Sequence, residues 1–300
     1  MLQKTELLGG VCKILGRHDY ETCVYQNLCF DIIARKSRKQ MMLLKVMTNI
    51  DGFQQEHANS MKILSSALGS FAGLVGSHTN HERLFNGIIY ERFGISAFSH
   101  STFEDILEDN LPQVYSRRGG LFVEIDCKRL KNGRKSRKIT QENLAEMVGT
   151  TKKSIYEHEK KSMKMVFEMA KGVNRALKAN IFKRMSFSSC EPVCSSSPLS
   201  KEEKNMSLLF EEKGFTTSPV HKAPLNMIAK GGEILFAEIA SENIERKYID
   251  LEKFFDISRK PVLLVVPEEY AEFGHDIPVK SEKELRKMEK KELIDFVTKF

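Results

Sequence analysis

Three hundred residues, 41% hydrophobic and 29% charged, are enough for two or three domains with real cores, which sets aside the disordered and membrane-embedded classes. The longest apolar runs, such as PVLLVV at 261–266, are too short to span a bilayer, and MLQKTELLGG lacks the apolar stretch of a signal peptide. A cytoplasmic protein with no membrane partner is therefore expected. The net charge of +7 is unevenly spread: residues 1–126 carry 13 Lys/Arg and 14 Asp/Glu, 127–184 carry 17 and 5, and 199–300 carry 17 and 20. A basic excess confined to one segment points to a polyanion-binding module flanked by near-neutral to acidic domains.

The first part, 1–114, opens with a helical pattern in LQKTELLGGVCKILG, then strand patterns in CFDIIARKS and QMMLLKVM, a helix over QQEHANSMKILSSALG and the apolar FAGLVG. His78 and His81 beside Glu82 lack the further ligands that a metal site needs. A boundary near NLPQVYSRRGG opens a basic part, 115–185. MSFSSCEPVCSSSPLS follows, and its proline and serine content gives a linker over 186–200. Cys190 and Cys194 in that linker have no partners at zinc-motif spacing, and the six scattered cysteines are expected to be free thiols in a reducing compartment. No cofactor is expected. The last part, 201–300, runs helix (MSLLFEEKGF), strands (APLNMIAK, EILFAEIAS), helix (YIDLEKFFDISRK), strand (PVLLVV). Its order and text echo the first part: FDIIARK against LNMIAKG, TNID against ENIE, RFGIS against EFGHD. Either one α/β unit is duplicated, or two domains share an element order by chance.

The segment TQENLAEMVGTTKKSIYEHEK at 140–160 carries the densest signal. Thr140 can cap a helix with Glu142 in its first turn, and Leu144, Ala145 and Val148 give that helix an inner face. Gly149 suits a left-handed helix end, and Thr151 can cap a second helix anchored by Ile155. Two short helices joined by such a turn form a helix-turn-helix. Lys152 and Lys153 sit at the positive end of the second helix's dipole, where cations cost some tenths of a kcal/mol each. An approaching phosphate or guanine edge would offset that cost.

This stretch resembles the phage-repressor (XRE, or Cro-like) helix-turn-helix family in its Q-x-x-L-A, V-G-T-T and S-I elements and in Glu159. The resemblance covers roughly 127–180. It implies that Gln141 contacts phosphate and that Thr151, Lys152, Lys153, Ser154, Tyr156 and Glu157 lie at the DNA. Glu157 departs from the glutamine common at its position, and Lys160-Lys161 departs from the usual Asn-Gly or Arg-Gly. A basic cluster upstream, Arg134, Lys135, Arg137 and Lys138, adds phosphate contacts. With its flanking α/β parts, the chain also resembles a family of archaeal helix-turn-helix regulators.

The first part further resembles the PD-(D/E)xK nuclease fold through Asp31 and Lys45, where the metal-binding Glu should fall at position 43 and Leu43 stands instead. In the last part Asn226 takes the Asp place, Glu238 the Glu place and Ala240 the Lys place. The nuclease resemblance thus supports a fold more than an activity, although Glu6 could in principle add a carboxylate. The expected class is multidomain α/β plus all-α, with a central Cro-like helix-turn-helix bundle between two mixed α/β domains of degenerate restriction-endonuclease-like type. The expected function is sequence-specific binding of double-stranded DNA by a homodimeric, non-enzymatic transcriptional regulator. A metal-dependent nuclease aimed by the central module and an antitoxin-like protein-interaction module remain the alternatives.

Overall fold

The computed structural model describes residues 3–161, 163–183, 200–272 and 276–300. Nearly all of the expected linker over 186–200, Cys190 and Cys194 included, lies outside the described residues. In chain order the elements begin α1 (Lys4–Arg17), β1 (Glu21–Val24), β2 (Ile32–Ser37), β3 (Gln40–Asn49), α2 (Gln55–Leu68) and β4 (Phe71–His78). There follow β5 (Ile88–Arg92), β6 (Ile95–Ser99), α3 (His100–Leu107), β7 (Val114–Arg117), β8 (Gly120–Glu124), α4 (Cys127–Ser136), α5 (Gln141–Val148), α6 (Lys152–Lys160), β9 (Lys164–Val166) and α7 (Phe167–Leu177). The last segment has α8 (Lys201–Glu212), β10 (Thr216–Pro219), β11 (Met227–Gly231), β12 (Glu233–Ile239), α9 (Ile244–Ser258), β13 (Val262–Val266), β14 (Val279–Ser281), α10 (Glu282–Lys287) and α11 (Lys290–Val297).

Two compact units result: Met1–Val75 together with Ser188–Phe300, and Gly76–Phe187 between them. Residues 76–114 thus group with the helical segment. The physical link is β5, which pairs in parallel with β7 and carries sheet structure into it.

The two-segment unit is α/β. In its first segment the strand order is β1-β2-β3-β4, and in its last β10-β11-β12-β13-β14. The interior strand β13, VLLVV, is buried along its whole length between parallel neighbours, which is why it reads as an unbroken apolar run. Beyond their order, the two sheets share register. The ladder from Glu21↔Arg35 to Val24↔Ile32 matches that from Thr216↔Lys230 to Pro219↔Met227. Asp31 N–H donates to Leu44 O, as Asn226 N–H donates to Ala237 O, and Ile32↔Leu44 matches Met227↔Ala237. Left-handed backbone recurs at matching turns: Asp19 (φ 61°) with Gly214 (φ 79°), and Asn27 (φ 61°) with Lys222 (φ 53°).

The halves of this unit clasp one another reciprocally. The β1–β2 loop donates from the Tyr25 hydroxyl to Asp250 O on α9 (3.3 Å), and the β10–β11 loop donates from His221 N–H to Ser60 Oγ on α2 (3.1 Å). Cys29 N–H donates to Lys222 O, joining the two loops. Helix α9 also packs on β1 and β2, where Arg35 reaches Ile257 O at 3.2 Å.

In the unit Gly76–Phe187 the strand order is β6-β5-β7-β8-β9. One core joins sheet and helices: Val123 and Met165 from the strands, and Ile125 just past β8, meet Leu130, Leu144, Ala145, Ile155, Val173 and Leu177. Helix α7 gives Val173 and Leu177 to this core, whereas Met165 enters it from β9 and Val166 beside it is exposed. No helix among the described residues is long and apolar enough to cross a membrane.

Candidate nucleic-acid interface

Local chemistry fixes the ends of α5 and α6. Thr140 Oγ1 accepts from Asn143 N–H (3.0 Å), and Thr151 Oγ1 accepts from Ser154 N–H (3.1 Å), each satisfying a helix-start donor that the helix itself leaves free. Gly149 ends α5 at φ 71°, a left-handed conformation that costs glycine nothing. Leu144, Ala145 and Ile155 are buried and meet in one core, so α5 and α6 pack against each other.

A buried polar clamp holds the helices in place. Arg134 Nε and Nη2 on α4 donate to the two carboxylate oxygens of Glu159 on α6 at 2.6 and 3.0 Å, and Gln141 Nε2 on α5 donates to the same carboxylate at 2.7 Å. The side chains of Arg134 and Glu159 are only 12% and 4% exposed. Burial opposes ionisation of Glu159, but the bonds from Arg134 and Gln141 outweigh it and hold the carboxyl below the usual range. Removing one partner from such a pair costs about 3–5 kcal/mol, because the other is left charged and buried.

The clamp divides the sequence-predicted DNA contacts into two groups. Arg134 and Gln141 have their polar atoms engaged inside, and Arg134 Nη1 also donates to Ile139 O at 2.8 Å. Arg137 donates from Nε to Leu177 O, tying α4 to the end of α7. By contrast Lys135, Lys138, Thr151, Lys152, Lys153 and Tyr156 are exposed, with Ser154 and Glu157 half-buried. Lys152 meets Glu142 at 3.4 Å and Lys161 meets Glu157 at 3.8 Å, exposed pairs worth about 0–1 kcal/mol that a phosphate can displace. Tyr156, 45% exposed, has Lys160 Nζ 5.6 Å from its ring centre. The result is a rigid pair of helices whose outer side offers lysines, a hydroxyl and an aromatic ring. Sequence reasoning missed the internal role of Arg134; its partner Glu159 stood in the motif, but 25 positions away.

The second place with chemistry to weigh is the buried Asp31. Its Oδ1 receives Lys4 Nζ at 2.8 Å and Lys45 Nζ at 3.3 Å, and its Oδ2 receives Val46 N–H at 2.8 Å. Burial pushes Lys45 below its ordinary pKa, with Asp31 opposing. The donor set does not fit a divalent cation. Both carboxylate oxygens are already engaged, Leu43 in the expected Glu place is fully buried and apolar, and Glu6 is occupied capping α1 through Gln3 N–H at 2.9 Å.

The matching place in the last segment corrects the sequence alignment by two residues. The register pairs Ile33↔Leu43 where it pairs Ile228↔Phe236, so Phe236 stands in the Glu place and Glu238 in that of Lys45. The cause is a β11–β12 hairpin two residues shorter than β2–β3. Asn226 keeps the backbone role of Asp31, accepting from Ile239 N–H (2.9 Å) and donating to Ile239 O (3.0 Å). Glu238, 5% exposed, takes Lys247 Nζ at 2.8 Å, yet burial still raises its pKa to about 7.

Comparison with known proteins bears on both places. A family model described as "PD-(D/E)XK superfamily domain" matches residues 4–112. Three archaeal proteins similar over most of the chain share the name "Putative HTH-type transcriptional regulatory protein". That of Methanocaldococcus jannaschii is 30% identical over 275 residues, covering 87% of this chain and 85% of its own. That of Methanococcus vannielii is 31% identical over 297 residues, covering 90% of each. That of Pyrococcus furiosus is 31% identical over 235 residues, covering 76% and 74%. No solved structure matches.

Proposed function

The chain belongs to the family of these archaeal proteins named as HTH-type transcriptional regulators, and from that premise we propose that it is a cytoplasmic transcriptional regulator that binds double-stranded DNA sequence-specifically. Its reading head is a phage-repressor-like helix-turn-helix made by α5 and α6. The observation that carries this is the contrast on α6: Ile155 and Glu159 are locked inside, while Lys152, Lys153 and Tyr156 stand exposed at its other side and N-terminal end. N-terminal residues of a recognition helix are those that reach base edges, and cations placed there against the helix dipole gain most from an approaching polyanion. Lys135 and Lys138 add phosphate contacts, so affinity falls steeply with salt.

The protein acts as a homodimer, which calls for half-sites about 10 bp apart or a multiple of that spacing. It is not an enzyme. The two α/β halves are copies of one nuclease-like unit that kept its backbone and lost its metal ligands. The shared registers and the lysine-filled surroundings of Asp31 support this.

Selection of random duplexes by the purified protein, beside the Lys152→Ala/Lys153→Ala variant, tests the proposal. Wild type should enrich a two-fold symmetric motif, and the variant should lose it while keeping weak, salt-sensitive binding. Enrichment of the same motif by both would remove the specificity role from α6. An asymmetric motif would remove the dimer.

A further inference from the structure

A second basic feature of the unit Gly76–Phe187 lies outside α5 and α6. Strands β7 and β8 form a hairpin in which Arg117 pairs with Gly120, leaving Arg118-Gly119 as its tip. Gly119 and Gly120 have φ of 99° and 130°, conformations strained for any residue with a side chain, and a Cβ at either would meet nothing within 4 Å. The glycines serve the turn rather than packing, and they leave Arg118 as the side chain of the tip.

The pleat sorts the hairpin's side chains onto two faces. Val123, Ile125 and Met165 enter the core that also holds Leu144 of α5 and Ile155 of α6, so the hairpin is fixed to the same rigid body as the two helices. The opposite face carries Tyr115, Arg117, Phe122, Glu124 and, from β9, Lys164. Of these, Arg117, Phe122, Glu124 and Lys164 line an open groove of 610 Å³ together with Arg118, Met163 and Lys183.

Cations outnumber anions in this groove, and the anions hold most of them in position. Glu91 takes Arg117 at 2.8 Å and Lys164 at 3.8 Å, while Glu124 takes Lys183 at 3.8 Å. Lys164 Nζ lies 3.6 Å from the centre of the Tyr115 ring, within cation–π range. That leaves Arg117, Arg118, Lys164 and Lys183 facing two carboxylates, and Arg118 at the tip has no hydrogen bond or ion pair among the described residues. Guanidinium groups bind phosphate oxygens two at a time, and the two glycines that follow Arg118 let the backbone there come close to a phosphate.

We infer that the β7–β8 hairpin is a second DNA-contacting element, whose Arg117 and Arg118 grip the phosphate backbone of the duplex that α6 reads. This rests on the proposed DNA-binding function. A phosphate contact adds affinity and fixes orientation without reading sequence. The hairpin therefore makes one reading head bind at two places through a shared core.

The test measures binding of full-length wild type, Arg117→Gln/Arg118→Gln, and Arg118→Gln to the selected duplex across a salt series. Arg38→Gln/Lys39→Gln, at the exposed β2–β3 turn, removes the same charge elsewhere and is the control. The double variant should lose about 10- to 100-fold in affinity near 0.1 M salt and about 2 in salt slope, with an unchanged enriched motif. Arg118→Gln, which breaks no hydrogen bond or ion pair among the described residues, should lose about 1 in slope. The control should stay within about 3-fold of wild type. Equal losses in tip variant and control would overturn the inference, since net charge alone would explain them. A changed motif would also overturn it, since the arginines would then be reading bases. If wild type binds no duplex at any salt, the DNA-binding function itself falls and the hairpin's role with it; binding by wild type that the tip variants match sinks the hairpin alone.

Discussion

The two halves of the α/β unit carry opposite chemistry on one backbone frame. In the first, a buried carboxylate, Asp31, stands before β2 and gathers two ammonium groups and a backbone N–H. In the last, an amide, Asn226, holds the same position, and the carboxylate has moved to Glu238, in the place of Lys45, with its ammonium supplied by α9. Each half neutralises its buried charge by its own route. What both keep is the bond from the next strand's N–H to a side-chain oxygen, Val46 to Asp31 and Ile239 to Asn226. The frame keeps an acceptor at that point in both halves.

Substitutions can press on that contrast from both sides. The largest effect is expected from Asp31→Ala, which strands Lys45 without its carboxylate and should cost about 3–5 kcal/mol in chemical denaturation. A loss below about 1 kcal/mol would mean that Lys45 finds water instead. Next comes a pH effect confined to the other half. Glu238 has a folded pKa near 7, above its unfolded value, so the stability of its neutral form is full below about pH 4.3 and is lost as pH rises through 7. Glu238→Gln should therefore gain on wild type by about 2–3 kcal/mol between pH 5 and pH 8. A gap that does not change with pH would show the carboxyl titrating normally.

Asn226→Ala removes one acceptor and one donor for Ile239 and should cost about 1–3 kcal/mol, less than Asp31→Ala because no charge is stranded. The smallest effect is expected from Mg²⁺, which should leave the melting temperature of wild type unchanged and produce no nicking of supercoiled plasmid. Metal-dependent nicking abolished by Asp31→Ala would return the first half to catalysis.

Features decided by neighbours in the chain were legible in the sequence. Thr140, Gly149 and Thr151 act within three residues of themselves, and each does what its residue type implies. The matching strand orders were also legible, since apolar runs and turns follow in the same succession. The slot of Glu238 was not, because a hairpin shortened by two residues shifts the partner strand without leaving a mark in the text. Nor was the fate of Arg134: a guanidinium in a basic cluster looks like a phosphate contact until a carboxylate from another helix is found against it. The β7–β8 hairpin escaped notice for a related reason. Its strands have four and five residues, and RRGG between them looks like a boundary rather than a turn.

The division of the chain has a consequence for how the protein comes off the ribosome. Met1–Val75 emerges first, but the segment that clasps it begins only at Ser188. At about 5–20 residues per second, the intervening stretch takes roughly 5–20 s to synthesise. For that interval the loop bearing Tyr25 and Cys29 lacks the surface it will meet, and the apolar side that α9 will cover is open to solvent. The unit Gly76–Phe187 has its whole core in one run of sequence and can close while the first segment waits. Order of synthesis thus favours an order of folding, with the unit Gly76–Phe187 complete before the two-segment unit.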